Sequence, residues 1–79
     1  MTLNKNLVKA IYNIDKQIKG ISNVTVDYNE NKDMVWLSYD NVFECDIGLM
    51  IQIIKDCELN FYSYSFYADN GIVITIKVD

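Results

Sequence analysis

Along the chain the spacing of apolar positions switches between helical periodicity and strict alternation, and each switch marks an element. Over residues 3–19, Leu3, Leu7, Ala10, Ile11, Ile14 and Ile18 recur at intervals of three and four and fall within about 100° on a helical wheel. Lys5, Lys9, Tyr12, Lys16 and Lys19 occupy the opposite side, so the spacing predicts a half-buried helix that Gly20 stops. The period then becomes two. Val24, Val26 and Tyr28 alternate with Asn23, Thr25 and Asp27; after the polar run Asn29, Glu30, Asn31, Lys32, Asp33, the residues Val35, Leu37 and Tyr39 alternate with Met34, Trp36 and Ser38. Two alternating runs around a five-residue polar loop predict a β-hairpin.

Helical spacing returns over residues 42–58, where Phe43, Ile47, Met50, Ile51, Ile53, Ile54 and Cys57 share one broad arc and Gln52, Lys55 and Asp56 the other. Asn41 followed by Glu44 has the form of a capping box, with Asp46 as a competing start. The last third alternates again: Tyr62, Tyr64 and Phe66 against Ser63, Ser65 and Tyr67, then Ile72, Ile74, Ile76 and Val78 against Val73, Thr75 and Lys77. Asn70-Gly71 between them is a type I′ turn signal.

The expected fold class is therefore α+β in the order αββαββ, a four-stranded antiparallel sheet with both helices on one face. It is the arrangement that a ferredoxin-like βαββαβ sandwich takes if its first strand is carried to the end of the chain, and equally a duplicated αββ unit. The pattern leaves open which hairpin is central. Residues 1–79 read as a single domain, since 79 residues bury only about 60% of the surface their unfolded chain exposes.

Composition narrows the chemistry. There is no His, Arg or Pro, so imidazole bases, imidazole metal ligands and guanidinium clamps are excluded together. Ser22, Ser38, Ser63 and Ser65 lie in strand-like runs without a Gly-x-Ser-x-Gly elbow, and Gly20, Gly48 and Gly71 are isolated, so no phosphate-cradling loop is expected. The carboxylate neighbours Glu44 and Asp46, or Asp56 and Glu58, read as solvated faces, and no catalytic residue is expected. Asn29, Glu30, Asn31 and Asp33 lack the twelve-residue spacing, central glycine and terminal Glu of an EF-hand, so neither a metal nor another cofactor is expected. Cys45 and Cys57, twelve residues apart on one expected helix, would be separated by about 18 Å and cannot pair. Reduced thiols, an N-terminal segment without a signal-peptide core and the absence of an 18-residue apolar run lead to the expectation of a cytoplasmic protein with no membrane contact.

Charge adds a last feature. The net charge of −4 divides into +3 over residues 1–19 and −7 over residues 20–79. An acidic surface without a single Arg has little with which to neutralise phosphates, so direct nucleic-acid binding is not expected. It suits another protein with a basic surface. Asp27, Glu30, Asp33, Glu44 and Asp46 are the expected acidic contacts, with Trp36 and Tyr67 as aromatic anchors on the uncovered sheet face, beside Met34 and Phe61. A small, acidic, catalytically bare chain rich in Ile, Asn, Lys and Tyr looks like the general run of phage and mobile-element accessory proteins. These include anti-CRISPR and immunity-type inhibitors of host proteins. The alternative expectation is a structural or small-ligand-sensing module of ferredoxin-like type that forms a homodimer through the sheet face.

Overall fold

The computed structural model describes residues 5–18, 20–30, 33–67 and 70–77. Helix α1 (Lys5–Gln17) leads into β1 (Ser22–Tyr28) and β2 (Met34–Asp40). A 3-10 turn (Glu44–Asp46) opens α2 (Ile47–Asp56), which is followed by β3 (Asn60–Tyr67) and β4 (Gly71–Lys77). The four strands form one antiparallel sheet in the order β1-β2-β4-β3. The αββαββ expectation is met. The order, which the periodicity left open, puts β2 and β4 at the centre, as carrying the first strand of a βαββαβ sandwich to the end of the chain requires.

One face of the sheet forms the core. Val35, Leu37 and Tyr39 of β2 stand opposite Ile76, Ile74 and Ile72 of β4, and all six are buried. Leu7, Ala10, Ile14 and Ile18 from the α1 segment and Ile47, Met50, Ile53, Ile54 and Cys57 from the α2 segment join them in a single cluster. The opposite face carries Thr25, Asp27, Met34, Trp36, Ser38, Val73, Thr75, Ser63 and Tyr67 by register.

Several boundaries differ from the expectation. The second helix begins five residues later than 42, because Glu44–Asp46 is a 3-10 turn. Asn41 is not its cap. Asn41 takes a left-handed φ of 59°, and the Asp46 carboxylate instead accepts a hydrogen bond from the Phe43 N–H at 3.3 Å. Phe43, expected on the buried arc, therefore precedes the helix and is exposed. In the second hairpin Tyr67 pairs with Gly71, so residues 68–70 connect the strands and Asn70 alone of the Asn70-Gly71 pair has a positive φ, 60°. Asn70 and Gly71 are therefore not the two central residues of a type I′ turn, which both need a positive φ. A bulge between Phe61 and Ser63 also shifts β3, so that Phe61, Tyr64 and Phe66, rather than Tyr62, Tyr64 and Phe66, share the helix-side face. Phe61, expected as an outward anchor, packs partly buried against the core.

Leu3, Lys19, Asn31, Lys32, Asp69 and Val78, to which the sequence assigned places in α1, the first loop, the acidic surface and β4, lie outside the described residues.

Candidate interaction surface

The seven residues expected to meet a partner do not form one patch. Asp27 stands across from Trp36, Glu30 and Asp33 lie in the β1–β2 connection, and Glu44 and Asp46 sit in the turn before α2, at the far end of the sheet with Tyr67. Seven-residue strands span about 20 Å, so the two acidic groups are separated by roughly that length. Asp33 is committed to its own loop: its carboxylate accepts from the Asn29 side-chain amide, while Asn29 Oδ1 accepts from the Asp33 N–H at 3.1 Å and the Met34 N–H at 3.3 Å. Asp46 is occupied in the same way with the Phe43 N–H. Trp36, on a central strand flanked by β1 and β4, is half-buried. Asp27, Glu30, Glu44 and Tyr67 remain exposed.

The exposed aromatic surface lies instead along β3. As an edge strand it has a neighbour on one side only, and it presents Tyr62, Tyr64, Phe66 and Tyr67 at 66%, 45%, 42% and 45% exposure. Phe61, Tyr64 and Phe66 form a ladder on the helix side, with ring centroids 6.3 Å apart in the first pair and 6.1 Å apart, edge to face, in the second. At the end of the strand Phe66 and Tyr67 join Val42, Phe43, Glu44 and Asn70 around a groove of about 350 Å³. A hydrogen bond from the Val42 N–H to the Asn70 carbonyl, 2.9 Å, ties the segment before α2 to the second hairpin and fixes the groove's shape. Gly71 contributes by having no side chain, because a Cβ there would overlap the Tyr67 ring.

The strand itself carries no charge from Leu59 to Tyr67, whereas Asp56 and Glu58 precede it and Glu44 lines the groove at its far end. An uncharged, aromatic edge between acidic ends can accept a further strand by backbone hydrogen bonding. The sequence held one sign of this surface that alternation alone missed: aromatic residues on both faces of the same strand, Phe61, Tyr64 and Phe66 on one and Tyr67 on the other.

A second groove, of about 420 Å³, runs between α1 and the β1 edge, lined by Val8, Ile11, Tyr12, Asp15, Ile21, Val24 and Tyr39. Tyr39 is 2% exposed, and its hydroxyl, like that of Tyr28, is buried with no hydrogen-bond partner. Burial, and behind it the charge of Asp15, pushes the Tyr39 hydroxyl well above its ordinary pKa. Among the described residues no helix is long and apolar enough to cross a membrane.

No family model matches the chain, and neither a curated protein nor a solved structure matches it significantly.

Proposed function

We propose that this chain is a non-catalytic protein-interaction module that receives a strand of a partner with basic flanks along β3. The observation that carries this reading is the uncharged aromatic edge between acidic ends, with Phe43, Phe66 and Tyr67 exposed around the terminal groove. Backbone pairing would supply affinity, the aromatic side chains would anchor alternate residues, and Glu44, Asp56 and Glu58 would select positive charge beyond the paired stretch. The absence of His and Arg from the whole sequence supports a role without catalysis. Inhibition of a host protein, in the manner of phage accessory proteins, is one form that such binding takes, and unpaired Cys45 and Cys57 suit a reducing compartment such as the cytoplasm.

Self-association through β3 is the competing reading, and charge weighs against it. Antiparallel pairing of two copies brings the start of one β3 to the end of the other, and so sets Glu58 of each copy beside the Glu44 end of its partner. A partner strand with Lys or Arg at those places meets attraction instead.

The test is affinity capture from lysate of the source cells with mass-spectrometric identification, followed by calorimetry with the purified partner. Phe66→Lys is expected to abolish binding, while Asp27→Lys, Glu30→Lys and Asp33→Lys together leave it within about threefold. The reverse pattern would move the interface to the first hairpin. A dimer on light scattering, lost in Phe66→Lys, would establish self-association in its place.

A further inference from the structure

We infer that the groove at the end of β3 is a subsite for an arginine side chain, taken between the rings of Phe43, Phe66 and Tyr67 with Glu44 as the counter-ion. This subsite deepens the strand-binding reading, on which it rests for the identity of the arginine's carrier. Three aromatic side chains from two separate segments line its 350 Å³, a size that suits one long side chain rather than a length of peptide. All three are exposed, Phe43 at 57%. Among the described residues ring contacts join Phe61 to Tyr64 and Tyr64 to Phe66, but none joins Phe43, Phe66 and Tyr67 to one another. The three rings thus border a shared space without covering one another, and a guest in that space is what would cover them. Their frame is fixed. The hydrogen bond from the Val42 N–H to the Asn70 carbonyl ties the two segments, the Asp46 carboxylate holds the Phe43 N–H, and the Tyr67 ring lies over Gly71.

Charge decides what the guest is. Glu44 lines the groove, and among the described residues its carboxylate has no ion pair or hydrogen bond, whereas that of Asp46 is engaged with the Phe43 N–H. No Lys or Arg occurs in residues 33–54 or 56–76, the stretches that supply both walls; Ala68 and Asp69, which lie outside the described residues, add no cation. A positive guest is therefore favoured over an anion. The faces of aromatic rings carry the negative part of their quadrupole and attract cations, while offering few acceptors for hydrogen bonds. That combination separates arginine from lysine. The guanidinium is planar and weakly hydrated, stacks on rings and forks onto a carboxylate. The lysine ammonium instead gives up strong hydration for three hydrogen bonds that an aromatic lining does not supply.

Nα-acetylarginine N-methylamide is the probe, with its lysine and citrulline analogues beside it; citrulline keeps the shape of arginine and lacks the charge. In titrations followed by amide NMR at low salt, the arginine probe is expected to shift the resonances of Val42, Phe43, Glu44, Phe66 and Tyr67. It should bind about threefold more tightly than the lysine analogue and about tenfold more tightly than the citrulline analogue. Glu44→Gln, a change at an exposed position, is expected to weaken arginine binding about threefold and to remove most of its salt dependence. Phe43→Leu keeps apolar bulk without the ring, and should bring arginine level with lysine. Equal binding of arginine and citrulline or of arginine and lysine, unchanged binding in Glu44→Gln, a preference that survives Phe43→Leu, or shifts confined to other residues would each overturn the assignment. The probes carry too little backbone to extend β3, so the result is separate from strand capture. Arginine preference without strand capture would keep the subsite and overturn the wider reading, and strand capture without arginine preference would do the reverse.

Discussion

At Gly71 the missing side chain is what lets the Tyr67 ring lie across its strand partner. Gly71→Ala is expected to lower stability by about 1–2 kcal/mol, since Tyr67 is partly exposed and can move aside at a cost. Adding Tyr67→Ala should recover most of that loss, and urea unfolding of the two single variants and the double variant measures the coupling. Asn70-Gly71 was legible as a turn from sequence. The work each residue does was not, because the left-handed conformation falls to Asn70 and glycine serves a ring packed over it. Tyr39 makes the same point in the core. Its place on the buried face of β2 could be read from alternation, but its nearness to Asp15 could not, because that requires knowing where α1 crosses the sheet. Its raised pKa has a measurable consequence. The unfolded chain releases the tyrosine proton from about pH 10 whereas the folded protein holds it, so the contribution is intact below pH 10 and is lost as pH rises above it. Chemical denaturation at a series of alkaline pH values should show stability falling faster in the native sequence than in Tyr39→Phe, by up to about 1.4 kcal/mol per pH unit.

Among the elements, β3 departs most from its sequence pattern, and the cause is its position at the sheet edge. Alternation identifies a strand and its two faces, but an edge strand and a central strand with the same alternation look alike until the sheet order is known. Over its described residues β4 was legible, since Ile72, Ile74 and Ile76 are all in the core. In β3 the bulge exchanges the roles of neighbours, burying Phe61 in part and turning Tyr62 out to solvent. Phe61→Ala should therefore cost about 2–3 kcal/mol in thermal or urea unfolding, and Tyr62→Ala less than about 0.5 kcal/mol. Equal losses would contradict the bulged register. The start of α2 can be tested alongside, because the Asp46 carboxylate holds the Phe43 N–H and with it the position of an exposed aromatic at the groove. Asp46→Ala should lower stability by about 0.5–1 kcal/mol.

For the whole molecule, the acidic residues expected to act as one rim divide between the two ends of the sheet, and their consequence depends on which edge lies between them. The β1 edge holds Asp27 among its own residues, as befits a protected edge, whereas β3 is uncharged along its length and, among the described residues, has the carboxylates of Glu44, Asp56 and Glu58 beyond its ends. On the proposed reading such an edge admits a partner of opposite charge, and repulsion between those carboxylates keeps it from a copy of itself. The native chain should therefore sediment as a monomer at low salt. Glu44→Gln combined with Glu58→Gln removes one charge from each end, and should produce a dimer whose population grows with protein concentration in analytical ultracentrifugation. Raising the salt should push the native chain in the same direction, because exposed charges are screened beyond about 10 Å at 0.1 M. Phe66→Lys in the Gln background should restore the monomer by placing a charge within the strand itself. If the Gln variant stays monomeric at every concentration, end repulsion is not what keeps β3 free, and the proposed selection of a basic partner by those carboxylates loses its support.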